Sequence, residues 1–135
     1  MQRIFAIWTF SLLLSAIGSA TVADDLYLAC HEGVLLPAAD VRDVFLGEKQ
    51  FLNAVRLVPV DNVAAQPAFL EKVLKMNGIK YATTWAKKSF RDGINPPAMM
   101  ANDDAALEFI RRTPGSCGYL GVEPLSGGVT VIGKY

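Results

Sequence analysis

Val55-Arg56-Leu57-Val58-Pro59-Val60-Asp61-Asn62, followed after Val63-Ala64-Ala65-Gln66 by Pro67-Ala68-Phe69-Leu70-Glu71-Lys72-Val73-Leu74-Lys75, is the stretch on which the fold class turns. Its first half is rich in β-branched residues and runs into turn-forming residues at Pro59-Val60-Asp61-Asn62, which predicts a strand over 55–60 that ends in a turn. The second half changes period. Phe69, Leu70, Val73 and Leu74 share one helical face while Glu71, Lys72 and Lys75 face water. Pro67 suits the first helical turn, and Asn77-Gly78 reads as the stop. Strand, turn and helix in immediate succession are the building unit of an α/β sheet.

The same alternation continues on both sides. Leu26 to His31 is a short apolar run suited to a buried strand, and Pro37 opens a helix with Val41, Val44 and Phe45 on one face that closes at Gly47. A further helix is expected from about Ile79 to Phe90, with Tyr81, Trp85 and the neighbouring alanines inward and Arg91-Asp92-Gly93 as its end. The aromatic pair suggests a stacking platform, but at helical spacing it fits core packing better. Ile94-Asn95-Pro96-Pro97 must be an extended loop, because two prolines exclude a helix. Asn102-Asp103-Asp104 caps a helix through Leu107, Phe109 and Ile110, with Arg111-Arg112 complementing its negative end rather than clamping an anion. Thr113-Pro114-Gly115 terminates it. Two more strands follow, Cys117 to Val122 and Val129 to Ile132, separated by turn residues around Pro124, Ser126, Gly127 and Gly128.

The N-terminus reads differently. Arg3 precedes an almost wholly apolar run from Ile4 to Ile17, and small residues follow at Gly18-Ser19-Ala20 and Thr21-Val22-Ala23. This is the pattern of a cleaved signal peptide over 1–23, too short to span a bilayer. The expected mature part, 24–135, is one domain's worth of chain, exported to the periplasm or secreted and not membrane-spanning after cleavage. Of 13 basic residues only Arg3 falls in the leader, so 12 basic residues stand against 13 acidic ones in the domain. That near-neutral balance argues against nucleic acid as a partner.

Cys30 and Cys117 both lie in the mature part and both border predicted strands. In an oxidising compartment, neighbouring strands would let them form a bridge closing nearly the whole domain; two separate buried thiols are the alternative. His31 is the only histidine, and Cys30-His31 lacks the ligand spacing of a zinc site, so no metal or other cofactor is expected. Nothing reads as catalytic. There is no glycine-rich nucleotide loop or nucleophile elbow, and Asp103-Asp104 sits where a helix start favours acids.

Three segments resemble a known family. Leu36-Pro37-Ala38-Ala39-Asp40-Val41-Arg42-Asp43-Val44-Phe45-Leu46-Gly47, Arg56-Leu57-Val58-Pro59-Val60-Asp61 with Phe69 eight residues on, and Thr113-Pro114-Gly115-Ser116-Cys117-Gly118-Tyr119 are similar, in that order, to segments of the phosphate-type substrate-binding proteins of ABC transporters. The resemblance implies one lobe of a type 2 periplasmic-binding-protein fold, with a mixed sheet of about five strands and helices packed on it. It also implies an anion site at the turn after Asp61, where backbone N–H groups at a helix start would face the ligand. Aligned on Asp61 and Phe69, the family's arginine is Pro59 here, and its Gly-Ser-Gly-Thr is Asn62-Val63-Ala64-Ala65. The hydroxyl donors and the cation of that pattern are therefore absent, and binding of a small anion should be weak. Asp61, Asn62, Val63, Ala64, Ala65 and Ser116 are the candidate ligand-binding residues, with Arg91 and Asn95 expected in loops bordering the same cleft.

Two readings follow, beside an enzyme for which no convergent titratable set is visible. One is an exported solute-binding-like module for a small anion. The other is a protein-interaction module, its partner an unknown protein or a second copy of the chain. A concave site with converging donors would favour the first, and exposed apolar side chains at the old cleft the second.

Overall fold

Residues 25–125 and 127–135 are described by the computed structural model; the expected signal peptide, 1–23, lies outside them. The chain runs β1 (Tyr27–His31), α1 (Val41–Phe45), β2 (Phe51–Leu52), β3 (Val55–Arg56), β4 (Val58–Asn62), α2 (Gln66–Phe69), α3 (Gly78–Asp92), β5 (Ala98–Met100), α4 (Asp103–Arg112), β6 (Ser116–Leu120) and β7 (Val129–Lys134). A short 3-10 turn, Ala38–Asp40, leads into α1, and α2 continues as a π-helical turn, Leu70–Leu74.

Five strands form one mixed sheet in the order β5-β4-β6-β1-β7, while β2 and β3 make a separate hairpin. β4 runs parallel to β5 and β6, and β1 runs antiparallel to β6 and β7. Alternation along the strands sorts the core into two layers. Leu26, Leu28 and Cys30 of the β1 segment point to the face covered by α1, α2 and α3, where they join Phe45, Phe69, Trp85 and Tyr119. Tyr27 and Ala29 point to the other face, against Ala106 and Ile110 of α4. On the first face the Phe69 ring stacks on Tyr119 at 4.0 Å between centroids, and Phe45 meets Phe69 edge-on at 4.7 Å. On the second, Gly118 lets α4 approach the sheet, since a Cβ there would lie 2.7 Å from Val60 and 3.0 Å from Ile110.

Cys30 and Cys117 are directly opposite each other in the β1–β6 ladder, 4.0 Å apart at Cα, and are bridged. The mixed five-stranded α/β architecture and the bridge are as expected. The strand predicted over 55–60 is different. Val55–Arg56 belongs to the hairpin, and the presumed turn Pro59-Val60-Asp61-Asn62 is itself strand β4. Val58 N–H bonds toward the β6 side, to Gly115 O at 3.0 Å, so the N–H that Pro59 lacks would point toward β5. β5 begins only opposite Val60, so no ladder bond is lost there. Gly115 is required at this junction, with φ +81° and a Cβ position 2.2 Å from Arg56 O.

The stop at Asn77-Gly78 is also corrected. The preceding helix ends at Leu74, with Lys75 in the left-handed region at φ 55°, and Asn77 instead caps α3 by accepting a 2.8 Å bond from Lys80 N–H. In α3 the inward positions are Tyr81, Trp85 and Lys88, not the alanines: Ala82 and Ala86 are exposed. Lys88 is buried because its ammonium reaches Leu46 O at 2.9 Å and Glu48 at 2.6 Å, while its alkyl stem fills the core edge.

Candidate functional site

The parallel strands β4, β5 and β6 place their C-terminal ends together, the position where open α/β sheets usually hold ligands. The candidate residues 61–65 lie at this end, beside a cavity of about 480 Å³ lined by Asp25, Ala64, Asn102, Asp103, Gly121 and Val122 among others. Ser116 does not join them. It starts β6 at the opposite end of the sheet, buried, with its hydroxyl donating to Ile110 O at 3.2 Å. Arg91 pairs with its neighbour Asp92 at 2.9 Å, and Asn95 lines a different cavity.

Each donor at the turn after β4 is already engaged. Val63 N–H bonds Met100 O at 2.8 Å, Ala64 N–H bonds the Asn62 side-chain oxygen at 3.1 Å, and Ala65 N–H bonds Asn62 O at 3.2 Å. The Asn62 amide donates to Asp103 Oδ1 at 2.7 Å and to Tyr119 O at 3.0 Å. Gly121 N–H also reaches Asp103, at 3.0 Å to Oδ2 and 3.2 Å to Oδ1. The Asp103 carboxylate thus occupies the donor set that an incoming anion would need. It stands in the first turn of α4, where the helix dipole favours it and the Asn102 side chain caps Ala105 N–H at 2.9 Å.

Asp61 points to the other face of the sheet from Asn62. It is buried and accepts hydrogen bonds from Tyr81 Oη at 2.7 Å and Tyr119 Oη at 2.9 Å. Burial raises its pKa above the usual 3.8, with the two tyrosine hydrogen bonds opposing. Both tyrosines are raised in turn, first by burial and then by the carboxylate beside them. Asp61 is therefore a core acceptor rather than a ligand contact. Among the described residues, no group of three or more His, Cys, Asp or Glu is arranged to hold a metal ion. His31 bonds Ile110 O through Nδ1 at 2.9 Å. No helix of the described residues is long and apolar enough to cross a membrane.

The rim of this end carries exposed apolar side chains: Val63 after β4, Met99 in β5 and Val122 after β6, the last 67% exposed. Sequence reasoning missed Asp103 as the key residue, because its partners, Asn62 at the end of β4 and Gly121 just after β6, are distant in sequence. The signal present was a second acid, Asp104, beside it at the helix start, so that Asp103 was not needed for the dipole alone. No protein-family model matches the chain, and no curated protein matches it.

Proposed function

We propose that this chain is an exported α/β module, patterned on one lobe of a phosphate-type substrate-binding protein, in which the anion site has become a protein-interaction surface. The observation that carries the reading is the Asp103 carboxylate seated on Gly121 N–H and the Asn62 amide. An external anion would have to displace it, and would then face Asp25 and Asp104 across the same cavity. The exposed Val63, Met99 and Val122 supply the apolar component of an interface. A partner that brings basic and apolar side chains together complements this end. A second copy presenting the same end would bring like charges face to face, so the partner is a different protein or a different face.

Two measurements test the reading on the full chain as exported. Calorimetric titration with inorganic phosphate should give no dissociation constant tighter than about 1 mM; a micromolar value would return the chain to solute binding. A photo-crosslinking residue at Val122 should capture a discrete protein species in the native cell, and Asp104→Lys should abolish that capture. Capture indifferent to Asp104→Lys would remove the acidic end from the interface.

A further inference from the structure

At the opposite end of β4 lies a second cavity of about 310 Å³, a size at the lower end of small-molecule sites. It is built where the β2–β3 hairpin, the starts of β4 and β5, and α3 meet. Its walls mix polar and apolar surface; Trp85, Ile94, Pro59 and Pro97 supply the apolar part, and Trp85 is fixed in place by its indole N–H bond to Phe45 O at 3.1 Å. The polar lining has one sign. Lys49, Arg56, Gln50 and Asn95 line the cavity, and among the described residues no acidic one does. Two carboxylates of the adjoining segment are engaged elsewhere, Asp40 with Lys49 at 2.9 Å and Glu48 with Lys88 at 2.6 Å. Arg56 forms no ion pair or side-chain hydrogen bond among the described residues.

We infer that this cavity binds a small free monocarboxylate with an apolar, aromatic or branched body. One guanidinium without a partner matches one negative charge, and its planar fork fits a carboxylate through two parallel hydrogen bonds. Lys49, shared with Asp40, adds field rather than a full partner. A dianion such as phosphate would find one free cation for its two charges, too little to replace its hydration. The body of the ligand lies between Trp85 and the proline-rich loop 94–97, with Gln50 and Asn95 at the mouth. This site does not depend on the interaction surface at the other end of β4, and either can fail alone.

The experiment is calorimetric titration of the full chain with 3-phenylpropionate, indole-3-acetate and 4-methylpentanoate, with 3-phenylpropan-1-ol and acetate as the chargeless and bodiless controls. At least one acid should bind, with the alcohol and acetate at least about tenfold weaker, the size of one charged hydrogen bond. Arg56→Gln, a change at an exposed side chain, should weaken binding about tenfold or more with the melting temperature unchanged, and Arg56→Lys should restore part of it. Ala98→Trp, which fills the mouth from an exposed position on β5, should abolish binding. No acid binding at about 10 mM, or equal affinity in Arg56→Gln, overturns the assignment. Tighter binding of the dipeptide Gly-Phe than of 3-phenylpropionate would transfer the site to peptide C-termini and overturn the free-acid assignment.

Discussion

The two ends of β4, a strand of five residues, are chemically opposite. Among the described residues, the cavity at Val58-Pro59 is lined by two cations and no acid, and the cavity at Asn62 by three aspartates and no cation. The difference is less one of composition than of satisfaction. At the acidic end the turn's backbone N–H groups, the Asn62 amide and the Gly121 N–H all have protein partners, so this turn has no idle donor to offer a solute. At the other end the Arg56 side chain has no such partner among the described residues. A polar group that the fold has already satisfied contributes order, and one that it has not satisfied is where a ligand gains most. The ends are also held differently. Cys117 is the register partner of Pro59, so the disulfide clamps the cationic end, while the acidic end is held by hydrogen bonds through Asp103.

The largest test of that difference is removal of the bridge. Cys30 and Cys117 are 87 residues apart in sequence, and closing such a loop stabilises the fold by about 4 to 5 kcal/mol in the chain-entropy account. The double variant Cys30→Ser/Cys117→Ser should lose most of that in urea denaturation, with faster amide exchange first along β1 and β6. A loss under about 1 kcal/mol would mean that the ladder, not the bond, holds this end.

Next in size is Asp103→Ala. It removes the acceptor shared by Asn62 and Gly121, leaving the buried Asn62 amide with Tyr119 O as its remaining acceptor. The expected loss is about 1 to 3 kcal/mol, with exchange at the Gly121 amide accelerated and that of β1 unchanged. Were the loss confined to a few tenths of a kcal/mol, Asp103 would be a helix-dipole acid and the acidic end would still have donors to offer.

Much of this architecture is written in local pattern. The apolar run from Leu26 to His31 and the helical spacing of Phe69, Leu70, Val73 and Leu74 put all but His31 and the half-buried Val73 in the core. The elements that escaped were those without a local signature. The β2–β3 hairpin has two-residue strands joined through Asn53 at φ 53° and Ala54, without the Asn-Gly pair that marks such turns. β5 is Ala98-Met99-Met100, lacking any β-branched residue, and becomes a strand only because β4 lies beside it. On α4, Leu107 packs against the core but is only half-buried, and the smaller Ala106 is the buried contact where the helix presses on the sheet. The acidic site depends on residues 62, 103 and 121, and the cationic cavity on four separated segments; no window of sequence contains either. A trace was present, since neither 49–60 nor 93–102 contains an acidic residue. Single-sign stretches of that kind become a cavity lining only when the fold brings them together.

The smallest expected effect concerns Asp61, which sits between the two ends and belongs to neither cavity. Its carboxylate is buried against Tyr81 and Tyr119, and burial outweighs their hydrogen bonds, so its folded-state pKa lies above the ordinary 3.8. Between 3.8 and that raised value the folded protein binds more protons than the unfolded chain. The stabilising contribution is therefore fully present below 3.8 and is lost as pH rises through the raised pKa, the reverse of a salt-bridged carboxylate. Asp61→Asn keeps the shape, accepts from one tyrosine and donates to the other, and does not titrate. Urea midpoints of both proteins between pH 3.5 and 8 should show the wild type losing stability relative to the variant as pH rises, then running parallel to it. A wild type that instead gained on the variant over that range would mean the tyrosines hold the charged form more strongly than burial opposes it. Asp61 would then be a built anion in the core, and the contrast would no longer lie between the two ends of β4 but between its two faces.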